Sequence, residues 1–139
     1  MYTDARGLSN EHIVPTVGLN IAKLEAFGSK LMFWDLGGQP GLRAIWGRYY
    51  AQAHALVFVV DSSSDGFQAN MAKDTLQGVL ASCKLSGAPV LVLANKSDLG
   101  GTDGVHSIKK QFNSALVDAS HDRSCYVLSV CALSGEGLR

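Results

Sequence analysis

Three short apolar runs constrain what this chain can fold into more than any other feature. Ala55–Val60 stops at Asp61, Pro89–Ala94 stops at Asn95, and Tyr126–Val130 stops at Cys131. Runs that are apolar on both faces suit parallel strands covered by helices on both sides. Between them, Leu76, Val79, Leu80 and Cys83 fall at helical spacing, as do Ile108, Phe112 and Leu116. Strand, helix, strand, helix, strand predicts an α/β protein with a doubly wound, mostly parallel sheet and right-handed crossovers. Upstream, Val17 to Ala26 alternates, with Val17, Leu19 and Ile21 on one face, which predicts a half-buried strand. Gly28-Ser29 supplies turn chemistry, and Lys30 to Trp34 completes an antiparallel hairpin. Residues 1–12 are polar and read as a loop or frayed N-terminus. No repeat, low-complexity tract or linker interrupts residues 13–139, which read as one domain.

Sheets of this kind bind ligands at the carboxyl ends of their strands, where Asp35, Asp61, Asn95 and Cys131 all fall. Trp34-Asp35-Leu36-Gly37-Gly38-Gln39 ends a strand with an acid that can hold Mg²⁺, directly or through water. Gly38 allows a backbone N–H to approach a γ-phosphate closely, and Gln39 can orient an attacking water. The same residues also read as a plain strand-to-helix turn. In Asn95-Lys96-Ser97-Asp98, the Asp98 carboxylate can accept hydrogen bonds from the guanine N1–H and amine, a pair that adenine lacks. Lys96 can lay its stem over the base, and Asn95 can brace neighbouring loops. Thr16, before the first strand, offers a hydroxyl to Mg²⁺ or reads as an ordinary loop residue. Cys131-Ala132-Leu133-Ser134-Gly135-Glu136-Gly137 offers backbone N–H groups to a base, or reads as a strand-to-helix turn with Ser134 as N-cap. Asp61-Ser62-Ser63-Ser64 reads as a strand end running into a helix.

Composition narrows the function classes. Across 139 residues, 12 Lys and Arg balance 12 Asp and Glu, and the basic residues are scattered. This argues against a nucleic-acid partner, which calls for a basic patch. Three cysteines without paired spacing make no disulfide framework, and reduced thiols of a cytoplasmic protein are expected. No apolar run approaches the roughly 20 residues that span a bilayer. The four histidines have no metal-ligand spacing.

Taken in order, these motifs resemble the Arf family of small GTPases. Pro15-Thr16-Val17-Gly18-Leu19-Asn20 resembles its first switch. Trp34 to Gln39, continuing through Leu42-Arg43, Trp46 and Arg48-Tyr49-Tyr50, resembles the second. Leu91 to Asp98 and Cys131 to Leu138 resemble its base-reading loops. The Leu31-to-Gln39 run and Val17-Gly18-Leu19-Asn20 are most similar to the Arf-related, Golgi-associated branch. The resemblance implies GTP and GDP as ligands, Mg²⁺ as cofactor, and a hydrolysing switch in vesicle traffic. It implies Mg²⁺ ligation by Thr16 and Asp35, γ-phosphate contact by Gly38, and water positioning by Gln39. It further implies guanine reading by Asn95, Lys96 and Asp98, with Cys131 and Ala132 beside the base. Exposed Trp46, Tyr49 and Tyr50 would meet effectors, exchange factors and GTPase-activating proteins, with membrane association confined to a full-length form. Three features are expected to depart from the family: Pro40-Gly41 follows Gln39, the family's myristoylated amphipathic N-terminal helix is not recognisable in these residues, and they contain no G-x-x-x-x-G-K-[S/T] phosphate loop. The phosphate loop's strand and helix are therefore expected to be absent, and so, separately, is the family's last helix. A nucleotide-free interaction module that keeps the effector surface is the alternative.

Overall fold

The computed structural model describes residues 14–117 and 121–138, so the polar loop expected over residues 1–12 lies outside the described residues. The chain forms two compact units, Met1–Tyr49 and Tyr50–Arg139.

The first unit is built on an antiparallel hairpin, β1 (Leu19–Ala26) with β2 (Ser29–Leu36). Ala26 pairs with Ser29, so the turn is Phe27-Gly28, one residue earlier than the Gly28-Ser29 expected. Both turn residues have positive φ, 52° and 70°, the backbone of a type I′ turn whose twist matches a two-residue hairpin. Gly28 meets that demand cheaply, whereas Phe27 adopts it with its ring fully in solvent. The expected buried face holds only in part. Leu19 is half-buried, but Val17 and Ile21 are exposed. A 3₁₀ helix, Pro40–Arg48, follows β2, with Pro40 at its start where no N–H is needed.

The second unit is a parallel sheet in the order β3 (Leu56–Asp61), β4 (Val90–Asn95), β5 (Cys125–Ser129). Two helices connect the strands: α1 (Gly66–Leu80) and α2 (Ser97–Leu116). Asp65 caps α1 by accepting the Gln68 N–H at 2.8 Å. Leu76 and Val79 are buried on α1 and Leu80 is half-buried there, but Cys83, expected on the same stripe, lies beyond the helix end in a separate turn and is exposed; Ile108, Phe112 and Leu116 are buried on α2, as their spacing predicted. Leu76, Ile108, Phe112 and Leu116 pack on the strand face that carries Val60, Val90, Val92 and Ala94, and the Phe58 and Phe112 rings stand 6.2 Å apart.

The opposite face is also apolar but lacks such a cover among the described residues. Val57, Val59, Tyr126 and Leu128 are exposed there, with Leu91 and Leu93 half-buried. The apolar runs announced two buried faces, and the described helices bury one of them. No described helix is long and apolar enough to cross a membrane.

Candidate nucleotide-binding site

The site residues fall into two groups, one in each unit. In the first unit, the end of β2 carries Asp35. Its Oδ2 accepts the Thr16 hydroxyl at 2.9 Å and the Asn20 amide at 3.3 Å. Two of the expected oxygen ligands, from residues 19 apart in sequence, therefore meet. Gly37 makes this possible. A Cβ there would lie 2.5 Å from the Thr16 carbonyl oxygen and 2.6 Å from Leu42 Cδ1, so only glycine lets the two segments approach. Its N–H donates to the Gly18 carbonyl at 3.0 Å, closing the approach from the other side. The close approach thus falls on Gly37, not on Gly38, the glycine the motif spacing points to. The Gly-Gly pair was the available signal, but the clash that distinguishes its members is long-range.

Around Gly38 the space is open, and its carbonyl accepts the Arg43 Nε–H at 2.9 Å. Gln39 is exposed just before the 3₁₀ helix. The Trp46 indole N–H donates to the Gly37 carbonyl at 3.1 Å, and the Arg43 guanidinium sits 5.9 Å from the Trp46 ring centre. Tyr49 packs on Trp34 at 5.8 Å. Trp46, Tyr49 and Tyr50 are half-buried, where exposed aromatics were expected. For Trp46 and Tyr49, the bond to Gly37 and the contact with Trp34 account for it, because indoles and phenols seat their rings on apolar partners when one is near. Burial pushes the Tyr50 phenol above its ordinary value.

In the second unit, two loops at the carboxyl ends of the strands are knitted together. Asn95 Oδ1 accepts the Ala132 N–H at 2.9 Å, the bracing role expected of Asn95. That N–H, expected to face the base, is thus committed to Asn95 in this conformation. The buried Cys131 thiol donates to Asp98 Oδ1 at 3.2 Å and orients the carboxylate. The Ser97 N–H donates to the Val130 carbonyl, and the Val130 N–H to that of Ala94. Cys131 and Glu136 form an isolated bridge, so the second loop closes on itself. Ser134 accepts the Glu136 N–H at 3.3 Å, capping this turn in place of the helix start expected there. Lys96 is not laid out freely over the loop. Its ammonium contacts Asp61 Oδ2 at 2.6 Å, and its backbone is left-handed at φ 62° and ψ 40°.

What sets α2 against the tip of β3 is a pair of glycines. Cβ atoms at Gly100 and Gly104 would lie 2.5 and 2.6 Å from the Ser62 carbonyl oxygen. Gly101, between them, has φ 58° and ψ −173°, a glycine-favouring backbone that kinks the helix one turn after Asp98. Ser62 is buried, donates its N–H to the Asn95 carbonyl at 2.8 Å, and leaves its hydroxyl without a hydrogen-bond partner among the described residues.

Chemically, the first group offers a hydroxyl and a carboxylate oxygen side by side. That donor set fits a magnesium ion that brings its own waters and phosphate oxygens, since Mg²⁺ is usually held by few protein ligands. Among the described residues, no group of three or more His, Cys, Asp or Glu could hold a metal alone. The second group presents a fixed carboxylate suited to paired N–H donors, as on guanine.

A parallel sheet with Asn95, Asp98 and Cys131 at its strand ends, and a hairpin ending in Asp-x-x-Gly-Gln, are features of a small GTPase fold. The profile of the ADP-ribosylation factor family matches residues 6–139, and the chain belongs to that family. It is 39% identical over 134 residues to ADP-ribosylation factor-related protein 1 of Homo sapiens, covering 96% of this chain and 66% of that protein. It is also 39% identical over 130 residues to ADP-ribosylation factor-like protein 3 of Saccharomyces cerevisiae, covering 93% of this chain and 65% of the relative. The chain thus spans just under two thirds of the length of these relatives. The Arl6 BBS3 small GTPase of Trypanosoma brucei, solved with the nucleotide analogue GppNp, superposes with a TM-score of 0.74 at 27% identity. That match covers 94% of this chain and 78% of the other.

Proposed function

We propose that these residues carry the switch and base-reading parts of an Arf-like GTPase that alternates between GDP and GTP in Golgi and vesicle traffic. The observation that carries the reading is the knitted pair of loops. Asn95 holds Ala132, and Cys131 holds Asp98, so the guanine-selecting carboxylate is fixed before any ligand arrives. Asp98 accepts from the guanine N1–H and amine, Lys96 covers the base, and Ala132 turns its N–H to the base when Asn95 releases it. Thr16 and Asp35 hold Mg²⁺, which supplies charge neutralisation on the phosphates. Gly38 meets the γ-phosphate, and Gln39 orients the hydrolytic water. The second-switch segment around Trp46, Tyr49 and Tyr50 meets effectors, exchange factors and activating proteins.

Affinity of these residues alone is weak, because they contain no phosphate loop. Each charge-assisted bond to a phosphate contributes roughly 1.5–3 kcal/mol, and several are missing. The same observation favours the second reading, an interaction module that binds its partner without nucleotide.

The test uses the purified chain with Mg²⁺. Amide spectra titrated with GDP are expected to shift at Ala132 and Lys96, ADP leaves them in place, and Asp98→Asn removes the GDP response. Equal responses to GDP and ADP, or none to either, would overturn guanine reading. Calorimetry with GTP is expected to show no sub-micromolar binding, and its appearance would overturn the claim of weakness.

A further inference from the structure

Asp61 ends a strand in the sequence pattern, and in the fold it is also in direct contact with Lys96 of the Asn95-to-Asp98 loop. The register of β3 and β4 places Asp61 opposite Asn95, one residue before Lys96. Both carboxylate oxygens have partners. Oδ2 accepts the Lys96 ammonium at 2.6 Å, while Oδ1 accepts the Ser63 N–H at 2.9 Å and the Ser63 hydroxyl at 2.6 Å. A carboxylate gripped on one side by its own turn is a rigid anchor for what binds its other side.

Lys96 needs an anchor. Its left-handed backbone is disfavoured for a residue with a Cβ, and such residues persist when their surroundings over-determine them. Lys96 is also the hinge between β4 and α2, because Ser97 begins the helix and Leu99 and Gly100 donate their N–H groups to the Lys96 carbonyl. A lysine stem tied at its backbone end and its ammonium end crosses from the tip of β4 to the tip of β3.

We propose that Asp61 is a positioning residue for nucleotide recognition: by pinning the Lys96 ammonium, it fixes the left-handed hinge and presents Asn95 to Asp98 in the conformation that receives the base. The consequence for nucleotide rests on the guanine-reading function proposed above; the order of the hinge does not. Asp61 touches no nucleotide in this scheme and acts only through Lys96. Its Ser63 bonds are compatible with an amide, so Asp61→Asn keeps the Oδ1 acceptor and removes the charge that faces Lys96.

The experiment is a cycle on this chain: wild type, Asp61→Asn, Lys96→Met and the double variant. Lys96→Met keeps the stem and removes its charge. The first readout is ligand-free amide exchange at Ser97, Leu99 and Gly100, whose N–H groups close the hinge. For a partly exposed ion pair, D61N is expected to speed exchange about fivefold. It should add nothing in the K96M background. The second readout is GDP affinity by amide titration, which D61N should weaken by a similar factor in the wild-type background alone. An effect of equal size in both backgrounds would show that Asp61 acts independently of Lys96 and overturn the positioning role, and no effect in either would remove the role altogether. Tighter GDP binding in D61N would reverse the sign and make the pair a restraint on Lys96. If the wild type binds no GDP, the guanine reading fails while the exchange cycle still decides the hinge.

Discussion

The close approach of α2 to the tip of β3 makes a matched pair of substitutions informative. Gly78→Ala and Gly104→Ala each replace a glycine inside a helix, and each gains about 1 kcal/mol of helix propensity. Their surroundings differ. Nothing lies within 4 Å of a Cβ at Gly78, whereas a Cβ at Gly104 meets the Ser62 carbonyl oxygen at 2.6 Å. That oxygen belongs to backbone that cannot step aside cheaply, since Ser62 is 1% exposed and its N–H is bonded to Asn95. Overpacking against a fixed neighbour costs about 1–3 kcal/mol. The propensity gain is common to both variants and cancels, so Gly104→Ala should be about 1–3 kcal/mol less stable than Gly78→Ala. Gly78→Ala itself should be more stable than wild type. Urea unfolding of the three proteins measures both differences, with unchanged m-values confirming that the shift is one of stability. Equal midpoints for the two variants would refute the argument that glycine at 104 is there for contact.

Two further outcomes are expected. Phe112→Ala, which empties a fully buried position against Phe58, should cost about 3–5 kcal/mol, while Leu99→Ala at an exposed position should fall within about 0.5 kcal/mol of wild type; comparable losses would contradict the described core. For Asp61, partial burial raises the carboxyl, but the bonds from Lys96 and Ser63 outweigh it and hold the group below its ordinary value of 3.8. A carboxyl held low in the folded state stabilises it above that value and loses the contribution as pH falls through the folded pKa. The difference in melting temperature between wild type and Asp61→Asn should therefore be constant near neutrality and close in acid below pH 3.8. A difference that widens in acid would show the sign to be wrong.

The sequence carried the fold well where periodicity and strand ends speak. The runs at 55–60, 89–94 and 126–130 became β3, β4 and β5 within a residue or so, and Ile108, Phe112 and Leu116 became one buried stripe. It carried less where two distant segments decide. Phe27 in the turn shifts the hairpin by one residue because the register is fixed by the paired strands as much as by the turn. Gly37, Gly100 and Gly104 are shaped by the Thr16 and Ser62 carbonyls, which no local pattern announces. Asp61 looked like a strand end because its partner, Lys96, is brought to it only by the parallel register. The half-buried Trp46 and Tyr49 follow the same rule, each meeting a partner several residues away.

The strand registers also order events in time. Hairpin pairs such as Ala26 with Ser29 join near neighbours, and hairpins of this kind form in about 1–10 μs. Leu56 must instead find Val90, and Val90 must find Cys125, each across some thirty residues of intervening chain, and such non-local pairing is slow. The turn that brings Asp35 beside Asn20 is therefore expected to close first, while Asn95, Asp98 and Ala132 wait for the crossovers. A nascent or refolding chain would assemble the Asn95–Ala132 and Cys131–Asp98 contacts last, and until then its apolar strands would be open to other chains.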